Sequence, residues 1–143
     1  MTVTDTSTSC SDTVCVTIGE PSVLVAAIDS TVDNVCFNGT DGKAFASASG
    51  GTPNYSFLWS NGSTADSATA LPAGMVTVTI TDNNGCTDTA QIMITEPTPI
   101  VITIDSTTNP SCPGDSNGAA TVTASGGTPN YSFLWSNGST ADS

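Results

Sequence analysis

The sequence has no histidine, no arginine and one lysine, Lys43, against thirteen acidic residues, for a net charge of −12. With almost no cations to replace the counterions of a phosphate backbone, the chain is not expected to bind nucleic acid. The same shortage argues against an anionic membrane surface. Without histidine the commonest general base is missing, and the only two glutamates, Glu20 and Glu96, both sit at linkers. No phosphate-cradling Gly loop and no Ser/Lys motif is present, so no enzyme is expected. The longest uninterrupted apolar run is Val23–Ile28, far short of the roughly 20 residues that span a bilayer. Five cysteines without a histidine, and without close clustering, make a poor zinc set. Met1 leads into Thr-Val-Thr-Asp, not into a basic and then apolar leader, so any export signal is expected outside these residues.

What is abundant is hydroxyl and repetition. Serine and threonine account for 44 of the 143 residues. Ser-Gly-Gly-Thr-Pro-Asn-Tyr-Ser-Phe-Leu-Trp-Ser-Asn-Gly-Ser-Thr-Ala-Asp-Ser fills residues 49–67 and returns unchanged at 125–143, an offset of 76. The same offset sets Cys10 on Cys86, Glu20-Pro21 on Glu96-Pro97, Ile28-Asp29-Ser30-Thr31 on Ile104-Asp105-Ser106-Thr107, and Cys36 on Cys112. Upstream of Cys10 one residue must be skipped for Thr4-Asp5 to match Thr81-Asp82. Such self-similarity marks a tandem array. The Glu-Pro pairs are its natural joints, because proline fixes its own φ and keeps the preceding residue out of helix. Residues 1–20 then read as the C-terminal strands of one repeat, 21–96 as a complete repeat and 97–143 as the front of the next.

No stretch has helical periodicity, and the complete repeat reads as all-β. Ser22–Ile28 fits a first strand, and Lys43–Ser49 alternates alanines with Phe45, Ser47 and Ser49. Gly50-Gly51-Thr52-Pro53 is a turn before Asn54–Ser60, which puts Tyr55, Phe57 and Trp59 on one face. Asn61-Gly62 carries a hairpin signal. Leu71-Pro72-Ala73-Gly74 turns into Met75–Asp82, where Val76, Val78 and Ile80 alternate with threonine. Asn83-Asn84-Gly85 makes a further hairpin into Cys86–Ile94. Six or seven short strands at this spacing imply a β-sandwich of about 76 residues per repeat.

Cys36, then Gly50-Gly51, Pro53, Tyr55 and Trp59-Ser60-Asn61-Gly62, then Leu71, Ala73-Gly74, Asp82, Gly85-Cys86 and the closing Pro97, together resemble the SprB repeat. The one departure is Asn54, where proline is commoner. The second half also looks like a PKD-type, immunoglobulin-like module. SprB repeats build very large cell-surface adhesins of gliding Bacteroidetes. The resemblance therefore implies export by the type IX route, an extracellular, cell-surface location, and a role in adhesion, gliding motility or a surface filament.

An intra-repeat disulfide is expected between Cys36 and Cys86, closing a loop of about 50 residues and contributing roughly 3–4 kcal/mol in the chain-entropy model. Cys10 and Cys112 would then pair outside these residues, and Cys15, whose counterpart is Gln91, is open to pairing with Cys10, to cross-linking, or to remaining a thiol. Tyr55, Phe57 and Trp59 (with Tyr131, Phe133 and Trp135) are expected in the core, the competing reading being a sugar-stacking platform. No cofactor is expected. Calcium is the one cation for which the loops Asp33–Val35, Asn38–Gly42 and Asp82–Gly85 offer oxygens, at a joint near Glu20 or Glu96, though tight turns ask for the same residues. Eight of eleven aspartates precede Ser or Thr, which resembles the O-glycosylation signal of Bacteroidetes and would place glycans on Thr13, Ser30, Ser67, Thr89 and Ser106. The Asn-x-Ser/Thr triplets at Asn38, Asn54 and Asn61 (with Asn130 and Asn137) read as hairpin chemistry.

Two functional classes follow. The first is a structural and adhesive surface polymer whose partners are neighbouring repeats or further copies of itself in a filament. The second is a set of carbohydrate-binding repeats on a secreted polysaccharide-degrading protein, with surface polysaccharide as partner.

Overall fold

A computed structural model describes residues 1–142, and no helix occurs among them. Ser143, the last residue of the second nineteen-residue copy, lies outside the described residues. The chain opens with β1 (Thr2–Thr4) and β2 (Ser11–Thr13), a short antiparallel hairpin. Six strands follow: β3 (Val25–Val32), β4 (Gly42–Ser49), β5 (Ser56–Trp59), β6 (Ser67–Leu71), β7 (Gly74–Thr81) and β8 (Thr87–Ile94). The last two are β9 (Val101–Thr108) and β10 (Ala119–Ser125), again an antiparallel pair.

The six middle strands form two three-stranded antiparallel sheets, in the orders β3-β4-β6 and β5-β7-β8. Period-two alternation gives each sheet one apolar face. On β4, Ala44 and Ala46 are buried while Lys43, Phe45 and Ser47 point to solvent; on β7, Val76, Val78 and Ile80 are buried. The core joins Ala44, Ala46, Ala68 and Leu71 of the first sheet to Trp59, Val76, Val78, Ile80 and Ile94 of the second. The alanines leave room for the indole opposite, a large-against-small match that fills the space between the sheets. Each large side chain so buried contributes about 1.5–3 kcal/mol.

Several local expectations are corrected. The first strand runs Val25–Val32 instead of Ser22–Ile28, because it continues past Asp29 through a bulge between Ile28 and Ser30. The hydroxyl of Ser47 donates to Asp29 Oδ1 at 2.8 Å, which satisfies the acid within the strand. Asn61-Gly62 turns the chain, but not between paired strands: β5 pairs with β7, and β6 pairs with β4 in the other sheet. The turn is closed locally by Gly62 N–H to Trp59 O (2.8 Å) and Trp59 N–H to Ser63 O (2.9 Å). Ser67–Leu71 is a strand that its Ser/Ala/Thr composition did not announce.

The 76-residue offset is reproduced in the pairing. Val25↔Ser49 and Ile28↔Ala46 of β3–β4 recur as Val101↔Ser125 and Ile104↔Val122 of β9–β10, with the bulge again at the aspartate, Asp105. Thr79↔Thr89, Ile80↔Asp88 and Thr81↔Thr87 of β7–β8 recur as Thr2↔Thr13, Val3↔Asp12 and Thr4↔Ser11 of β1–β2. The skipped residue is an extra residue in the hairpin loop. Asp5 N–H donates to Cys10 O at 2.8 Å, as Asp82 N–H does to Cys86 O at 2.9 Å.

Candidate functional site at the repeat joint

The two poles of the six-stranded unit hold most of its polar chemistry. At one pole the chain enters through Glu20-Pro21, and the Gly50-Gly51 turn and the β7–β8 hairpin meet it there. Gly51 sits at φ +58, which glycine adopts without strain, and a Cβ there would lie 2.7 Å from Asp82 Oδ2. Its N–H donates to Ser22 O at 2.8 Å, tying the turn to the entering strand. Asp82 is buried, and its carboxylate accepts from the N–H groups of Thr52 (2.9 Å), Asn84 (2.9 Å) and Cys86 (2.8 Å). The Thr52 bond, with help from those of Cys86 and Asn84, holds its carboxyl below the ordinary value against the opposing effect of burial. A carboxylate can accept three donors at once, so one residue fixes the hairpin and docks it on the neighbouring turn.

At the other pole the chain leaves through Ile94-Thr95-Glu96. Thr95 N–H donates to Asp33 Oδ1 (2.8 Å), Asn34 N–H to Thr95 O (3.0 Å), and Asn38 N–H to Glu96 Oε2 (2.7 Å). The bond from Thr95 lowers the Asp33 pKa. Asn34 is buried, accepts from Gly42 N–H at 2.7 Å through Oδ1, and leaves its Nδ2 without a partner. The loop after β3 is thus strapped to the end of β8. Beyond it, a cavity of about 600 Å³ lies between Val35, Cys36 and Phe37 on one side and Pro97, Thr98, Pro99, Ile100, Gly127 and Thr128 on the other.

The expected Cys36–Cys86 disulfide is not formed. All five cysteines, Cys10, Cys15, Cys36, Cys86 and Cys112, are exposed free thiols. The reason is geometric. Cys86 directly precedes β8, whereas the Cys36 loop is bonded to Thr95 and Glu96 at its far end. Eight extended residues separate those ends by roughly 25 Å, and a disulfide needs Cα atoms within about 7 Å.

The aromatic stripe is structural. Trp59 is 2% exposed, with its indole N–H donating to Ala65 O at 2.9 Å. Tyr55 and Phe57 pack against the core, and the Tyr55 hydroxyl donates to Gly50 O at 2.6 Å. Trp59 has no open stacking face, and Tyr55 and Phe57 are half-buried. Among the described residues no three His, Cys, Asp or Glu side chains converge as a cation site, and Glu96 is engaged by Asn38 instead. Of the expected glycan positions, Thr13, Ser30, Thr89 and Ser106 are exposed on β2, β3, β8 and β9, and Ser67 is half-buried at the start of β6. Asn38 and Asn54 have φ of 55 and 79, the left-handed turn conformation, and Asn61 Oδ1 accepts from Ser63 N–H at 3.1 Å. The bonding by Asp82 at one pole and by Glu96 at the other was missed in sequence. Its only signal was that both recur beside a fixed turn or joint.

The fold is all-β, with its middle strands in two antiparallel sheets packed as a sandwich. A family model described as the SprB repeat matches residues 28–64 and 104–140, two segments offset by the same 76 residues. They cover just over half of the chain, which belongs to the SprB repeat family. No curated protein and no solved structure matches it.

Proposed function

We propose that the chain is a non-enzymatic stretch of a very large bacterial cell-surface adhesin or extracellular filament. In this reading residues 1–20 end one repeat, 21–96 form a complete one and 97–143 begin the next. The observation that carries it is the return of the same strand registers, bulge and turn bonds at a fixed offset on either side of a hydrogen-bonded Glu-Pro joint. A three-on-three sandwich whose tryptophan lies on the first strand of the second sheet supports an immunoglobulin-like module. Family membership supports display outside the outer membrane after type IX export, with attachment or gliding as the work performed. Its Asp-Ser/Thr sites on exposed strands would carry O-linked glycans. The module's contribution is length and durability: polar strand faces keep neighbouring molecules from pairing edge to edge.

Immunogold electron microscopy with an antibody raised against residues 21–96 tests the proposal. Gold on rods or fibres projecting from intact cells is the expected result. Label reached only after permeabilisation would overturn it.

A further inference from the structure

Three features remain unexplained by the proposed function: five free thiols in a module assigned to an oxidising exterior, the cavity at the joint, and the orphaned chemistry of Cys36 and Cys86 at opposite poles. They share one solution. At the entry pole Cys86 lines one shallow pocket together with Pro21, Leu24 and Gly51. The counterparts of those three residues, 76 positions on, are Pro97, Ile100 and Gly127, and these line the cavity that Cys36 faces. The front of the following repeat is already folded to receive its own hairpin. Gly127 N–H donates to Thr98 O at 2.7 Å, as Gly51 N–H does to Ser22 O, and Thr128 borders the cavity where Thr52 holds Asp82. The hairpin that would dock there is the following repeat's copy of Asp82–Cys86. Its cysteine would enter the same cavity as Cys36.

The geometry points to disulfides that run between consecutive repeats, from Cys36 of one to the Cys86 counterpart of the next. This rests on the tandem reading of the preceding subsection. By the same rule Cys112 bonds forward, and Cys86 and Cys10 bond backward, giving one bridge per joint and leaving only Cys15 outside the scheme. Each bridge forms when one thiolate attacks a disulfide oxidant such as oxidised glutathione, releasing one glutathione thiolate, and the second cysteine thiolate attacks the protein sulfur of the mixed disulfide, releasing the other. The two cysteines lose two protons and two electrons in all, and the oxidant leaves as two thiols.

The consequence is mechanical. From Cys86 the covalent path runs along β8, through Glu96-Pro97 and along β9 to Cys112, 26 residues in all, before the next bridge. Sixteen of these are already extended in strands. Fully drawn out, 26 residues reach at most about 90 Å, close to the roughly 70–90 Å that two folded sandwiches occupy along such strands. An oxidised array therefore has almost no slack to release, whereas a reduced repeat of 76 residues can unravel to about 250 Å.

The test uses the chain prolonged after residue 143 by a copy of residues 68–96, which completes the third repeat. It is folded with oxidised glutathione and mapped by mass spectrometry without reduction. The expected product links the Cys36 peptide to the peptide holding the added copy of Cys86, lighter by two hydrogens than the two thiols. Cys36→Ser abolishes that species and Cys112→Ser leaves it. A Cys36–Cys86 link, a Cys86 link to the added copy, or a free Cys36 would overturn the proposal. Trp135 fluorescence separates the two layers of argument. If Trp135 becomes fully buried on prolongation but no link forms, the bridge alone fails; if it stays half-buried, the tandem reading fails with it. Stretched singly, oxidised arrays of several repeats are expected to lack the long unfolding steps that reduced ones show.

Discussion

Residues 49–67 and 125–143 are the same nineteen amino acids in two settings, and their structures agree only in part. The local bonds are common to both. Tyr55 and Tyr131 hydroxyls donate to Gly50 O and Gly126 O (2.6 and 2.5 Å), and Trp59 and Trp135 N–H donate to Ser63 O and Ser139 O (2.9 Å each). The indoles reach Ala65 O and Ala141 O at 2.9 and 2.7 Å. Residues 56–59, however, form a strand with Trp59 buried, whereas residues 132–135 form none and Trp135 is half-buried. The difference is β7, which pairs with β5 and has no counterpart beside 132–135 among the described residues. Turn geometry is thus written into the nineteen residues, while strand and core come from a partner elsewhere in the repeat.

The largest expected contrast is in amide exchange. The N–H groups of 56–58 that bond to β7 open only with the sandwich, and their counterparts in 132–134 lack a ladder, so the protection of these groups should differ on the order of 10³-fold. Equal protection, read by mass spectrometry on the two peptides, would mean the strand is encoded locally. Next comes the core. Trp59→Ala should cost about 3–5 kcal/mol in the denaturant midpoint of the complete unit, because it empties the space facing Ala44 and Ala68. Trp135→Ala should leave that midpoint in place, and a matching loss at both sites would break the distinction. Smaller again is the glycine pair. Gly51→Ala forces a side chain into the left-handed region, at about 1–2 kcal/mol, and pushes on Asp82. Gly127→Ala has the same φ of +58 but meets only Ile100, so its effect on the complete unit should be nil.

This contrast also accounts for what was legible in the sequence. The alternation of β4 and β7 and the burial of Trp59 were readable because they depend on residue type and spacing. The strand Ser67–Leu71 was not, since Ala68, Thr69 and Ala70 carry no β-rich pattern and Ala70 takes a φ of 56. Asn61-Gly62 gave the turn but not the partner, because a two-residue turn does not specify whether the chain stays in its sheet or crosses to the other. The cysteine pairing failed for a related reason. A spacing of 50 residues closes a plausible loop, but β8 runs straight between the two sites and holds them at opposite poles.

The smallest expected effect is that of pH, and it sharpens the comparison between locally and distantly formed bonds. Asp5 and Asp82 head equivalent hairpins. Asp5 takes its bonds from within its own turn, the Ser7 hydroxyl (2.6 Å) and N–H (2.8 Å) and the Thr8 hydroxyl (2.8 Å), and its pKa falls to about 2. For Asp82 the leading bond comes from Thr52, thirty residues away, and Asp88 is lowered by Ala26 N–H across the sandwich edge. All of these carboxyls are depressed below the ordinary 3.8 in the folded chain. The native state therefore binds fewer protons than the unfolded one near and below that value. Stability from these groups is fully present above it and is lost as pH falls through the folded values. Between pH 7 and 5 the melting temperature should not move on their account, and below about pH 4 it should fall. When the sandwich is unfolded at neutral pH by denaturant, Asp82 and Asp88 should return to ordinary titration in step with the loss of Trp59 burial. An Asp82 midpoint that stays depressed in the unfolded chain would show its bonds to be as local as those of Asp5, and the hairpin would not need the Thr52 turn to hold it.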